Sequence, residues 1–136
     1  MELNSILLDT SAYAAFKRGH GGVVDLVRAA ERILLPAVVI GELLAGFEVG
    51  SRRDRNRSEL DQFVASSRVE VVPVTWSTAE RYAAIYGYLR AMGTPVPTND
   101  LWIGAVAMEN GAVLVALDNH FTLMPQILSV VLPIDS

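Results

Sequence analysis

Apolar positions fall along this chain in short blocks, each closed by a polar or helix-breaking residue. Ile6-Leu7-Leu8 runs straight into Asp9-Thr10-Ser11, the pattern of a buried parallel strand that ends where a helix begins. Thr10 to Arg18 is helix-compatible and stops at Gly19. Val23, Val24, Leu26 and Val27 predict a second short helix from Val23 to Arg32, with Arg28 and Arg32 suited to the negative end of its dipole. Ile33-Leu34-Leu35 reads as a second buried strand stopped by Pro36. Ala37 to Phe47 follows as an almost wholly apolar helix carrying one charge, Glu42.

Ser51 to Ser67 is the most polar stretch, and its apolar stripe of Leu60, Phe63 and Val64 predicts an outer helix. Val69 to Val74 is a third strand. From Ser77 or Thr78 to Met92 a long helix carries Ala79, Tyr82, Ala83, Tyr86 and Leu89 on one face and Ile85, Tyr88 and Met92 on another. Two apolar faces mean either a helix sandwiched in the core, the reading favoured here, or one half of an oligomer interface. After the stiff loop Gly93 to Pro97, Thr98-Asn99-Asp100 opens a buried helix, Leu101 to Glu109, that stops at Asn110-Gly111. Val113 to Leu117 is a fourth strand running into Asp118-Asn119, and Val130 to Ile134 a short fifth at the sheet edge, where Pro133 is tolerated. Strands and helices alternate with no internal repeat. The expectation is a single domain over residues 1–136 with an α/β fold, a three-layer α/β/α sandwich around a central, mostly parallel sheet.

Composition narrows the chemistry. The chain contains no cysteine, which excludes a disulfide framework, a thiolate zinc site and a cysteine nucleophile, and fits a reducing cytoplasm. No apolar run approaches the roughly 18 residues that span a bilayer, and no signal-peptide pattern opens the chain. A soluble, cytoplasmic protein without membrane contact is expected. The net charge of −4 offers no global basic field to gather nucleic acid, so any such contact has to be local. Ten of the eleven basic residues are arginine, with Lys17 the exception, which favours bidentate contacts to phosphate or carboxylate.

Four acids occupy unusual settings. Asp9 ends the first strand, Asp118 the fourth, Asp100 starts a buried helix, and Glu42 stands alone among apolar residues. Helix capping is an alternative account of Asp9, where Thr10 or Ser11 can also cap, and of Asp100, where Asn99 or Thr98 can share the work. An ordinary turn beside Asn119 is the alternative for Asp118. Glu42 is harder to explain structurally, because an unpaired buried charge costs several kcal/mol. If the fourth strand returns to the far side of the first, Asp9 and Asp118 flank the switch point, and Glu42 and Asp100 join them when their helices start at the same sheet edge. Two carboxylates about 4 Å apart repel by roughly 4 kcal/mol at an effective dielectric of 20, so such a cluster takes up protons or a cation. Hard oxygen ligands select Mg²⁺ or Mn²⁺, and the chemistry suggested is phosphodiester hydrolysis. His20 and His120 both fall in predicted loops and read as surface or packing residues rather than general bases.

The pattern resembles the PIN-domain ribonucleases, and specifically the VapC-type toxins of bacterial toxin-antitoxin pairs. Leu7-Leu8-Asp9-Thr10-Ser11 looks like the first acidic motif and Pro36 to Gly46, with Glu42, the second. Gly93-Thr94-Pro95 with Asn99-Asp100-Leu101-Trp102-Ile103-Gly104-Ala105 looks like the third, and Leu114 to Phe121, with Asp118, the fourth. The resemblance implies a PIN-like sheet in the order 3-2-1-4-5, a Mg²⁺- or Mn²⁺-dependent endoribonuclease, and a homodimer inhibited by a cognate antitoxin. Carried over by position, Asp9 and Asp100 become direct metal ligands and Glu42 and Asp118 complete the site, directly or through water, with Thr10, Ser11 and Asn99 as supporting polar groups. Two positions depart from the pattern. Ala116 stands where a hydroxyl residue is usual, which removes one side-chain hydrogen bond near the site, and Gly104 stands where alanine is common.

Arg52, Arg53, Arg55 and Arg57 are the candidate RNA contact, with a solvated charged face as the alternative. Cations in a first helical turn oppose its dipole, so Ser58 with Asp61 can instead start the helix and leave the arginines on a loop that guides RNA to the acids. An acidic pocket on an acidic protein also invites an antitoxin whose basic tail inserts an arginine or lysine near Asp9 and Asp100. A haloacid-dehalogenase-type enzyme needs a second aspartate where Ser11 stands, and a receiver domain needs adjacent acids after its first strand and a late lysine. The remaining rival is a non-catalytic PIN-like module that binds RNA or a partner.

Overall fold

Ile6, Leu7 and Leu8 are wholly buried in β1 (Ser5–Leu8). Successive strand residues point to opposite faces, so their burial requires cover on both sides of the sheet. The computed structural model describes residues 4–135. After β1 come α1 (Thr10–Lys17), α2 (Gly21–Ala29), β2 (Arg32–Pro36), α3 (Ala37–Val49), α4 (Arg53–Val64) and β3 (Val69–Val72). The second half holds α5 (Trp76–Met92), α6 (Thr98–Asn110), β4 (Val113–Ala116), a short 3-10 turn (Asn119–Leu123) and β5 (Leu128–Val131).

Among the described residues the strands form one parallel sheet in the order β3-β2-β1-β4-β5. Leu7 pairs with Leu34 on one side and Leu114 on the other. The chain builds outward from β1 through β2 to β3, then crosses back to β4. The order therefore reverses beside β1, and the loops leaving the carboxyl ends of β1 and β4 diverge there. Asp9 follows the first of these strands and Asp118 the second.

Several boundaries differ from the sequence expectation, each for a local reason. The second helix ends at Ala29, and Arg32 instead opens β2, its N–H bonded to the Asn4 carbonyl at 2.9 Å and its guanidinium paired with Glu70 on β3. Pro36 is the last residue of β2 and also the N-cap of α3, where its missing N–H costs nothing. β5 is Leu128–Val131 rather than 130–134; the Leu132 N–H still reaches the Ala116 carbonyl at 2.9 Å, but Pro133 has no donor with which to extend the ladder.

Two corrections bear on function. α5 is not sandwiched in the core: Thr78, Ile85 and Leu89 form its buried stripe, whereas Trp76, Tyr86, Tyr88 and Met92 are exposed. Its inner side packs on α6, where Tyr82 stacks on Trp102 with centroids 4.1 Å apart. Nor are the arginines on a loop. Arg53, Arg55 and Arg57 lie in the first turns of α4, with Arg52 at its N-cap, and pair with Glu48, Glu59 and Asp61 respectively. Those acids, with Asp54 in the first turn, offset the unfavourable dipole contact and let the helix begin early.

Candidate active site

Asp9 caps the helix that follows it, the structural account that the sequence offered for it. Its Oδ1 accepts from the Ala12 N–H at 2.7 Å, so it caps α1. The Ser11 hydroxyl donates to the same carboxylate, 2.7 Å from Oδ1 and 2.9 Å from Oδ2, and accepts from the Leu117 N–H at 3.0 Å. Ser11 thereby ties the loop after β4 to the acid after β1. Asp9 is only 4% exposed. Burial pushes its carboxyl up from 3.8 to about 6, against the hydrogen bonds from Ser11 and Ala12, and the charges of Asp100 and Asp118 push the same way as burial.

Glu42 projects from α3 towards two other helices. Thr10 Oγ1 on α1 donates to its Oε1 at 2.6 Å, and Asn99 Nδ2 on α6 donates to its Oε2 at 3.3 Å. The lone charge of the apolar helix is thus held by a hydroxyl and an amide, and no cation neutralises it among the described residues.

Asp100 is not a helix cap. Pro97 holds that position in α6 with no side-chain bond, and the Asp100 carboxylate turns to His120, whose Nδ1 lies 2.7 Å from Oδ2. Asp118 caps the 3-10 turn, its Oδ1 accepting from the His120 N–H at 2.8 Å and lying 3.0 Å from His120 Nδ1. One ligand atom from each of Asp100, Asp118 and His120 falls within 4.8 Å of the others. Burial is the main cause raising the Asp100 carboxyl; the hydrogen bond to His120 lowers it, and the charges of Asp118 and Glu42 raise it. Asp100 thus lies within electrostatic reach of Asp9, Asp118 and Glu42, and none of the four acids pairs with a lysine or arginine among the described residues.

The two histidines divide. His20 is a packing residue, buried, with Nδ1 accepting from the Val23 N–H at 3.3 Å to cap α2 and Nε2 2.7 Å from the Pro133 carbonyl. His120 belongs with the acids, which sequence reasoning missed. The available signal was its spacing two residues after Asp118, within reach of the same tight turn.

Compared with known protein families, the chain matches the PIN domain model over residues 6–126. The chain belongs to the PIN domain family. A relative of this PIN domain named ribonuclease VapC4, from Mycobacterium tuberculosis, is 30% identical over 90 residues, covering 66% of this chain and 69% of that protein. DNA-bound VapBC from Salmonella typhimurium is similar with a TM-score of 0.81 at 25% identity, covering 93% of this chain and 96% of that one. VapBC-5 from M. tuberculosis, a member of the VapBC family of toxin-antitoxin systems, shares the fold with a TM-score of 0.73 at 23% identity, covering 95% and 99% of the two chains.

The fold also accounts for one departure from the PIN-domain pattern. A Cβ built on Gly104 would stand 2.7 Å from Met124 Sδ, so the buried Met124 side chain fills the space an alanine methyl would need. At Ala116, a wholly buried residue at the end of β4, no hydroxyl is present; the nearby Leu117 N–H is satisfied by Ser11 instead.

Proposed function

We propose that this PIN domain is a metal-dependent endoribonuclease of VapC type, the toxin of a toxin-antitoxin pair, which hydrolyses RNA phosphodiester bonds at Asp9, Glu42, Asp100 and Asp118. The observation that supports this reading is geometric: Asp100, Asp118 and His120 bring donor atoms within 4.8 Å of one another, and no lysine or arginine pairs with these acids, with Asp9 or with Glu42 among the described residues. An uncompensated cluster of hard oxygen donors fits Mg²⁺ or Mn²⁺. Such an ion, when bound, supplies positive charge at the scissile phosphate and makes a water more acidic.

The chain's own groups hold the donors in place. Ser11 and the Ala12 N–H fix Asp9, with Asp9 and Asp100 as direct ligands in this reading. Thr10 and Asn99 orient Glu42, and Asp118 is set by the His120 backbone. RNA runs past Arg52, Arg53, Arg55 and Arg57; the exposed ion pairs of the last three are each worth little and give way readily to phosphate. The exposed Trp76, Tyr86, Tyr88 and Met92 on α5 support a homodimer through that helix. The acids left without a lysine or arginine partner support an antitoxin whose tail places an arginine or lysine near Asp9 and Asp100.

Purified protein is incubated with total bacterial RNA and Mg²⁺ or Mn²⁺, beside Asp9→Asn, Asp100→Asn and EDTA controls. Discrete cuts that need the metal and both aspartates are expected. Intact RNA together with no thermal shift on adding metal would replace this reading with a non-catalytic PIN-like module that binds RNA or a partner.

A further inference from the structure

His120 is the one nitrogen donor within the acidic cluster, and its position is built rather than incidental. Its backbone N–H is held by Asp118 Oδ1 at 2.8 Å, so the residue that offers one carboxylate also fixes the turn presenting the imidazole. Nδ1 stands 2.7 Å from Asp100 Oδ2 and 3.0 Å from Asp118 Oδ1. Adjacent donors around an octahedral ion with bonds of about 2.1 Å lie roughly 3.0 Å apart, so Nδ1 stands from each carboxylate at about the spacing of neighbouring donors, and all three donor atoms lie within 4.8 Å of one another. The side chain is 42% exposed and therefore open to an entering ion.

We infer that His120, whose Nδ1 proton passes to solvent as the ion enters and leaves the imidazole neutral with its N–H on Nε2, is a direct metal donor through Nδ1 alongside Asp100 and Asp118, and that it makes this site prefer Mn²⁺ to Mg²⁺. The inference rests on the metal-dependent reading above and adds a donor and a selectivity to it. Mg²⁺ gains little from imidazole because it is small, hard and reluctant to shed water. Mn²⁺, although the weakest binder of the first-row series, is larger than Mg²⁺ and sheds water more readily, so an imidazole beside two carboxylates adds more to its binding than to that of Mg²⁺.

The test measures binding of Mn²⁺ and of Mg²⁺ by calorimetry in the full chain, the His120→Ala variant and the His120→Asn variant, with melting temperatures confirming that each is folded. Pulsed electron paramagnetic resonance of the Mn²⁺-loaded protein reports nitrogen coupling directly. The expected result is tighter Mn²⁺ than Mg²⁺ binding, an imidazole-nitrogen coupling that vanishes in both variants, and a Mn²⁺ affinity reduced on the order of 10- to 100-fold while Mg²⁺ changes far less. Parallel loss of both metals, or no nitrogen coupling in the unmodified protein, overturns the inference and leaves the carboxylate site standing. Binding of neither metal by the unmodified protein overturns the metal-dependent reading itself, and this inference with it.

Discussion

Thr10 and Glu42, 32 positions apart, meet in a 2.6 Å hydrogen bond that joins the first residue of α1 to the only charge near the middle of α3. The contact converts an isolated carboxylate on an apolar helix into an oriented one. Thr10→Val should preserve shape but release Glu42 Oε1, lowering RNA cleavage on the order of 10- to 100-fold, as loss of a partner that orients a metal-site ligand commonly does. Thr10→Ser should restore most of the rate. Equal cleavage by all three proteins would remove Glu42 orientation from the mechanism.

The raised carboxyl of Asp9 makes a pH prediction with a definite sign. With its value at about 6 in the fold against 3.8 ordinarily, the folded state holds more protons than the unfolded one between those values. Asp9 therefore lowers metal-free stability as pH rises from about 4 to about 6. Asp9→Asn should abolish that part of the slope and stabilise the metal-free protein at pH 7 by up to about 3 kcal/mol. Urea unfolding at several pH values in EDTA measures it; an unchanged slope would show that Asp9 titrates alike in both states.

The arginines of α4 should act by neutralising phosphates. Replacing Arg52, Arg53, Arg55 and Arg57 by glutamine in the Asp100→Asn background should weaken RNA binding and flatten its salt dependence by about 0.7 in log–log slope for each phosphate no longer neutralised. Fluorescence anisotropy over a salt series gives both quantities. Unaltered affinity and slope would assign these residues to the surface of α4 alone.

Gly104→Ala sets two effects against each other. The new Cβ would stand 2.7 Å from the sulfur of the buried Met124, an overlap of about 1–3 kcal/mol, while alanine inside α6 gains about 1 kcal/mol over glycine, so the net cost should be about 0–2 kcal/mol. Adding Met124→Ala should relieve the overlap, so the two changes together should be less damaging than the sum of each alone, a coupling that thermal or urea unfolding resolves.

Element type and order were legible in the sequence because they depend on local chemistry. Ile6-Leu7-Leu8, Ile33-Leu34-Leu35 and Val113 to Leu117 are apolar runs that only a sheet covered on both faces buries, and Asp9, Glu42, Asp100 and Asp118 stood out against apolar neighbours. The four motifs together also carried the sheet order that the strand pairing bears out. Tertiary structure alone decided what these side chains touch. His120 joins Asp100 across 20 positions, Arg53, Arg55 and Arg57 lie in the first turns of a helix rather than on a loop, and α5 leaves one apolar face uncovered. Periodicity records which face of an element avoids water, but contact between distant side chains is set by strand register and by loops such as Asp118 to His120, whose geometry has no repeating pattern to read.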